Sequence, residues 1–419
     1  MPPTPIGWTC VKPELLAPAG GWEQLEYAIR FGADAVYLAC ERFGMRQRAR
    51  NFALADLPRV VAYAHGHGVK VHVTCNIMMH DDDLEELPAY LEQVDAAGVD
   101  ALIVGDLGAL PLVHAHAPHV AVHASTQASI CNASAARIWH ELGASRIVAA
   151  RELSVADIAR MRAQLPEELE IEAFVHGSMC MAYSGRCLIS DYLTGRSALS
   201  GHCTQPCRWN YTLEEEQRPG VHFPIEEDGN GTYIMNAEDL NMLAHLDELA
   251  CAGVSSFKIE GRNKKAFYVA TVVNAYRQVL DGAPVEPFAR ELETVSHRPY
   301  STGFYFGAAH QATHTDARAQ SRELAAIVLD VREAEGGGCE ATVRCRNAFA
   351  ADARLEVLSP GRAVCPVEVQ RLSWLGPDAD SLLEAPEPVE RANRTMELYR
   401  IATPCELHEH DILRTVLQA

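Results

Sequence analysis

Between Glu14 and about Leu280 the chain repeats one pattern: a short apolar run, a turn, and a stretch whose apolar residues recur at helical spacing. Eight runs read as strands: Glu14–Ala19, Ala35–Ala39, Val69–Asn76, Ala101–Val104, Ala121–Thr126, Arg146–Ala150, Leu169–His176 and Ser255–Glu260. The stretches between them, such as Asp83–Ala97, Ser134–Leu142 and Val155–Gln164, read as amphipathic helices. Several are followed by Gly shortly before the next strand, as at Gly32, Gly98, Gly143 and Gly253, where a left-handed cap ends a helix. Eight strands alternating with helices point to an α/β fold, a parallel sheet closed as a TIM-like (β/α)8 barrel. An open doubly wound sheet is the competing arrangement, but no GxGxxG follows the first strand.

Side chains alternate along a strand, so each strand has two faces. His72, Thr74 and Asn76 share one face; His123, Ser125 and Gln127 share another; Glu172, Phe174 and His176 a third; Lys258 and Glu260 a fourth. The opposite faces are mostly apolar and suit an outer ring of helices. The polar faces would point into the barrel, which ordinarily carries aliphatic layers. A polar interior suggests a pocket for a small polar or anionic ligand. The barrel is expected over residues 13–285, with a hairpin-like insertion at about 209–236. Residues 286–321 read as a linker packing on the barrel. From 322 to 419 short β-like runs alternate with Gly/Pro turns, and a small all-β domain resembling a barrel is expected there.

The second constraint is chemical. Cys180, Cys187, Cys203 and Cys207 fall within 28 residues, spaced C-x6-C-x15-C-x3-C. Four thiolates from one irregular segment suit a tetrahedral metal site or a cubane iron–sulfur cluster. No CxxC pair is present, as structural zinc knuckles would require, and Asn210 replaces the third cysteine of a CxxxCxxC radical motif. An iron–sulfur cluster is therefore the leading reading, and four small buried hydrophobes the alternative. The chain has 13 cysteines in all; the other nine, among them Cys10, Cys75, Cys131, Cys251 and Cys345, read as packing residues. An odd count, with no apolar run of about 18 residues and no signal-like N-terminus, leads us to expect a cytoplasmic protein without a membrane span.

The formal net charge of -20 opposes nucleic-acid binding unless local basic patches offset it. Candidates are Arg42, Arg46, Arg48 and Arg50; Arg186, Arg196 and Arg208; and Lys258, Arg262, Lys264 and Lys265. The chain contains no HExxH, GxSxG or Asp-Thr-Gly, and Cys180 with His176 is the nearest approach to a thiol–base pair for a peptidase.

PELLAPAG, GADAVYLA, HGSMCMAYSGRC…GHCTQPCRW, SFKIEGRNKKAFYVATVVNAYR and SHRPYSTGFYFG together resemble the collagenase-like peptidase family U-32 over nearly the whole chain. The wording of MAYSGRC and SHRPYSTGF is most similar to the branch of prephenate-dependent hydroxylases acting on the wobble uridine of tRNA. The resemblance implies an RNA hydroxylase making 5-hydroxyuridine, a [4Fe–4S] cluster on Cys180, Cys187, Cys203 and Cys207, and prephenate as cosubstrate. Peptidase activity, or hydroxylation of another RNA or a quinone, is the alternative it carries. Ala39 stands where the family usually has Gly, and Cys40 follows it.

On this reading His176, Lys258, Glu260 and Arg262 are the candidate catalytic residues. Arg46, Arg48, Asn76, Gln127, Tyr183 and Arg186 are the candidate substrate-binding residues. Prephenate is a dicarboxylate, which explains the cations in the set. The expected partners are a tRNA anticodon loop, whose unpaired bases could stack on Tyr183, Trp209 or Tyr211, and a second family member.

Overall fold

The computed structural model describes residues 12–45, 51–180, 187–209, 213–214, 222–223, 227–228, 231–232, 237–309, 320–334 and 338–417. The chain divides into two compact units, one of Met1–Ala289 with His297–Arg318, the other of Arg290–Ser296 with Ala319–Ala419. Arg46, Arg48, Tyr183, Arg186 and Tyr211 lie outside the described residues, as does most of the 209–236 insertion. Among the described residues no helix is long and apolar enough to cross a membrane.

The first unit is a closed barrel of eight parallel strands. These are β1 (Glu14–Pro18), β2 (Ala35–Leu38), β3 (Lys70–Cys75), β4 (Ala101–Val104), β5 (Ala121–Ala124), β6 (Ala144–Val148), β7 (Glu170–Ser178) and β8 (Ser256–Ile259). Each pairs with the next, and β8 closes the ring by pairing with both β1 and β7. The helices α1 (Trp22–Arg30), α2 (Leu57–Gly66), α3 (Asp81–Ala96), α4 (Leu110–His116), α5 (Ala133–Glu141) and α6 (Val155–Arg162) follow the first six strands in turn. Each turns its apolar stripe inward, as Leu25, Ala28 and Ile29 do on α1 and Leu87, Leu91 and Val94 on α3. Local chemistry starts them: Asn132 caps α5, and Ser154 with Asp157 forms a capping box on α6.

After β7 the pattern is interrupted. The cysteine segment with the short α7 (Ile189–Thr194) comes first, then a strand at Asp239–Asn241, and the ring resumes with α8 (Leu246–Cys251), β8 and α9 (Ala266–Leu280). β7 is the longest barrel strand because its last three residues pair antiparallel with Asp239–Asn241. That strand in turn pairs with Tyr300–Ser301. Gly177 makes the junction: its φ is +107°, and a Cβ there would sit 2.4 Å from the carbonyl oxygen of Glu260. Only glycine accommodates both the backbone and that approach. At Gly20 a Cβ would lie 1.9 Å from the Arg262 carbonyl. The turn Glu260–Arg262 is thus held between two glycines.

The second unit is an antiparallel sheet built on β9 (Arg322–Glu333), β10 (Cys339–Cys345), β11 (Arg354–Leu358), β12 (Cys365–Glu368), β13 (Arg371–Gly376), β14 (Leu398–Thr403) and β15 (Ile412–Val416). Alternate residues of β10 are buried, and Ala341, Val343 and Cys345 join Val328, Leu355, Ile401 and Leu413 in its core. Arg414 is almost fully buried on β15. It forks onto Glu291 at 2.7 and 3.0 Å, while its Nε donates to Glu356 at 2.9 Å.

Candidate active site in the barrel mouth

The barrel interior is polar where most such barrels are aliphatic. Arg146 of β6 enters it from below and pairs with Glu14 at 2.6 Å, Glu170 at 2.6 Å and Glu172 at 3.2 Å. Lys258 donates to Glu172 at 2.7 Å and lies over the Tyr37 ring at 4.4 Å. Burial pushes the Lys258 ammonium down, and Glu172 opposes that shift. For Glu14, burial pushes upward, but the charge and hydrogen bond of Arg146 outweigh it and hold the carboxyl below its ordinary range.

Above this network the His72 and His123 rings meet edge to face at 4.8 Å, each with an Nδ1 that has no partner among the described residues. Burial holds both imidazoles neutral, lowering His72 to about 4 and His123 well below the usual value. The ligand atoms of His72, His123 and Glu172 lie within 4.8 Å of one another. Glu172 already takes Lys258 and Arg146, so a divalent ion there would stand beside two buried cations. The cluster reads as a buried charge network, with a strong Coulombic cost against adding positive charge.

At the C-terminal ends of the strands, where barrel enzymes place their chemistry, the polar groups interlock. Asn76 donates to Ser125 Oγ at 3.2 Å and accepts from the Met45 backbone N–H at 3.0 Å. Arg262 donates to Thr74 Oγ1 at 3.3 Å and to the Met45 carbonyl. Tyr37 donates its hydroxyl to the Ile259 carbonyl at 3.0 Å, with Glu260 Oε2 at 3.3 Å. Thus β2, β3, β5 and β8 are joined at one rim, and the loop at Phe43–Met45 is tied down over it.

His176 is almost fully buried on the opposite side. Its Nδ1 lies 3.3 Å from the Tyr276 hydroxyl, and its Nε2 has no partner among the described residues. Burial lowers it to about 3, so at neutral pH it is an uncharged imidazole. Tyr268, Tyr276 and Tyr300 surround the ring. Beside them Asp239 takes Arg298 through Nε at 3.0 Å and through the terminal nitrogen at 2.7 Å. Burial raises the Asp239 carboxyl, and the Arg298 charge and hydrogen bonds outweigh it to leave it lowered.

The cysteines rise from the tip of β7. Cys180 and Cys203 are exposed, Cys187 and Cys207 half-buried. Burial raises the Cys187 thiol, a backbone hydrogen bond at Ile189 opposes the shift, and the nearby Cys203 and Cys180 add to it. The Gln205 backbone N–H donates to Cys203 Sγ at 3.3 Å. Ser190 on α7, fully buried, clamps the two ends of the segment by bonding Thr204 through hydroxyl and backbone at 3.1 and 3.0 Å. The Met78 N–H reaches the Leu199 carbonyl at 2.9 Å and fixes the segment to the tip of β3.

The residues singled out from the sequence therefore divide. Asn76, His176, Glu260 and Arg262 meet around the mouth. Lys258 lies deeper and is paired with Glu172 rather than with Glu260. Gln127 is half-buried on the loop after β5, its backbone N–H on Ser125 Oγ. Trp209 is exposed. Cys75 and Cys345 are buried as packing residues, but Cys251 is exposed, because α8 turns Leu246, Leu249 and Ala250 inward and leaves its last residue outside.

Sequence reasoning passed over Arg146 and Glu14, which stand at strand starts and read there as boundaries. It also passed over Tyr37, Tyr276 and the Asp239–Arg298 pair, whose partners are distant in sequence. Arg151 was missed one residue beyond the expected end of the sixth strand; the rule that strand tips carry chemistry would have found it.

The model of Peptidase family U32 matches residues 20–315, and that of the Peptidase family U32 C-terminal domain matches residues 320–414. The chain belongs to peptidase family U32. Among relatives of this U32 chain, "tRNA hydroxylation protein P" of Escherichia coli (strain K12) is 36% identical over 399 residues, covering 83% of this chain and 86% of the relative. The "23S rRNA 5-hydroxycytidine C2501 synthase" of the same organism is 41% identical over 268 residues, 64% of this chain and 39% of the relative. "Collagenase" of Porphyromonas gingivalis (strain ATCC BAA-308 / W83) is 33% identical over 312 residues, 70% of this chain and 73% of the relative. The U32 family is thus secure, and its names divide between RNA hydroxylation and proteolysis.

Proposed function

We propose that this U32 chain is an RNA hydroxylase that converts the wobble uridine of tRNA to 5-hydroxyuridine, using prephenate as cosubstrate and a [4Fe–4S] cluster on Cys180, Cys187, Cys203 and Cys207. The observation that carries the reading is the four-cysteine segment rooted on the tip of β7, beside a mouth lined by Asn76, Glu260 and Arg262. A relative matched over 83% of this chain bears a tRNA hydroxylation name, which supports the same class.

The donor set suits the cluster. Four thiols come from one segment clamped by Ser190 on Thr204, and a backbone N–H is already aimed at Cys203 sulfur, the kind of contact that tunes thiolate-held iron. A bound cluster supplies an electron-transfer or Lewis-acid centre, which side chains do not. The chain's own residues do the rest. Asn76 and Arg262 hold the Phe43–Met45 loop, so the rim keeps one shape. Tyr37, on its carboxylate, and the His176 carbonyl, on its backbone N–H, fix Glu260, leaving a carboxylate positioned at the mouth. His176, neutral and buried, is a hydrogen-bonding group rather than a charge. The uridine approaches as an unpaired base, and the exposed Trp209 ring offers a stacking surface.

The peptidase reading fares worse on the geometry. Its thiol–base pair would be Cys180 and His176, yet Cys180 is exposed while His176 is buried against Tyr276 and lowered to about 3. Such an imidazole does not take a thiol proton at neutral pH. The test is reconstituted protein with prephenate and tRNA lacking the modification, assayed by nucleoside mass spectrometry. Formation of 5-hydroxyuridine is expected, and its absence alongside cleavage of a collagen-like peptide would reverse the assignment.

A further inference from the structure

Most cations that line the barrel and its mouth are already engaged. Lys258 lies on Glu172, Arg298 forks onto Asp239, and Arg262 bonds Thr74 and the Met45 carbonyl. Arg151, at the tip of β6, differs. Its guanidinium lies 4.1 Å over the Phe174 ring and gives one hydrogen bond, at 3.0 Å, to the carbonyl of Ser178. Its Nε is buried and has no hydrogen-bond partner among the described residues. Among the described residues it forms no ion pair.

A guanidinium carries five N–H donors in a planar fork that matches a carboxylate. Here most of the fork is unused, and one donor is shielded from water. Phe174 also has Lys258 at 5.5 Å, so two cations share one ring, and among the described residues only Lys258 is paired with a carboxylate. The position of the fork sets the size of what it can take. Phe174 faces inward two residues below His176 on β7, and Ser178 is two residues before Cys180. The free donors therefore lie between the barrel interior and the root of the cysteine segment. A small organic anion reaches that depth more readily than the backbone of a folded RNA.

We infer that Arg151 is the anchor for a carboxylate group of a small organic cosubstrate, held in the mouth between Phe174 and the base of the cysteine segment. The inference rests on the hydroxylase reading for the identity of that anion as prephenate, but the anion site stands on Arg151 itself. Gln127, on the loop whose Ile130 carbonyl accepts from the Ala150 N–H beyond β6, is a candidate for a second contact.

The test is calorimetric titration of cluster-loaded protein with prephenate, comparing wild type, Arg151→Gln and Arg151→Lys, with tRNA affinity and visible absorbance measured on each. Loss of a charge-assisted fork should weaken prephenate binding about ten- to hundredfold in Arg151→Gln. Arg151→Lys should restore only part of it, since an ammonium lacks the planar fork. Cluster absorbance, melting temperature and tRNA affinity should stay at wild-type levels. Unchanged prephenate affinity in Arg151→Gln overturns the inference, as does a wild type that binds no prephenate. A fall in tRNA affinity alone overturns it too, because it would make Arg151 a phosphate contact. Arg151-dependent prephenate binding without hydroxylation of tRNA would leave the anion site standing and remove the hydroxylase reading.

Discussion

Lys258 and Glu172 meet at 2.7 Å in the middle of the barrel, both with side chains almost wholly removed from water. β8 brings the ammonium and β7 the carboxylate, and these are the two strands that close the ring. The second oxygen of Glu172 takes Arg146, so the pair belongs to a network reaching Glu14 and Glu170. Removing one partner would leave a buried charge uncompensated. Lys258→Met should lower the unfolding free energy by about 3–5 kcal/mol. Replacing both residues by Met should recover much of the loss. Denaturant titration checks this, and wild-type stability in Lys258→Met would contradict the network.

The buried histidines set a pH dependence. Burial lowers His72 to about 4 and His176 to about 3. The unfolded chain, with histidines near their ordinary value of about 6.5, therefore binds more protons than the folded one as pH falls below that value. The stabilisation is fully present above about pH 6.5 and is lost progressively down to the folded values. Between pH 7 and pH 5 each of the two should contribute about 2 kcal/mol of lost stability. His72→Gln should flatten the profile measured by denaturant titration across that range. A slope identical to wild type would show that His72 titrates normally.

Gly177 tests the joint between β7 and β8. Gly177→Ala places a methyl group against the Glu260 carbonyl and forces a positive φ on a residue that disfavours it. The expected cost is about 1–3 kcal/mol, with a larger proportional loss of activity because Glu260 moves. Gly195→Ala, where a Cβ meets nothing within 4 Å, serves as the comparison, since it carries backbone strain without the clash. Equal effects from the two would remove the close approach as the cause.

The cysteines separate by position. Cys187→Ser should abolish visible absorbance and bound iron after anaerobic reconstitution, whereas Cys251→Ser, on the outer side of α8, should leave both intact. Retention of a full complement of iron in Cys187→Ser would exclude that residue as a ligand.

The barrel was legible because its signal is local. Val71, Val73, Phe257 and Ile259 alternate with His72, Thr74, Lys258 and Glu260, and that alternation marks both the strands and the faces turned inward. The four cysteines stood out by their spacing as a candidate ligand set. What the sequence leaves open is pairing at a distance. Lys258 sits two residues from Glu260, yet its partner is Glu172, 86 positions away, because the closure of the ring places β7 beside β8. Asp239 and Arg298 likewise meet only because a strand outside the barrel adds to the end of β7. Arg151 carries no motif at all. Its significance lies in an unused fork of donors, which appears only once its neighbours are in place.

The most direct measurement is the nucleoside content of tRNA from cells that carry or lack this gene, by mass spectrometry. The account predicts that 5-hydroxyuridine and its derivatives disappear on deletion, return with the wild-type chain, and do not return with Cys180→Ala. Unchanged 5-hydroxyuridine on deletion, in cells with no second member of the family, would contradict it.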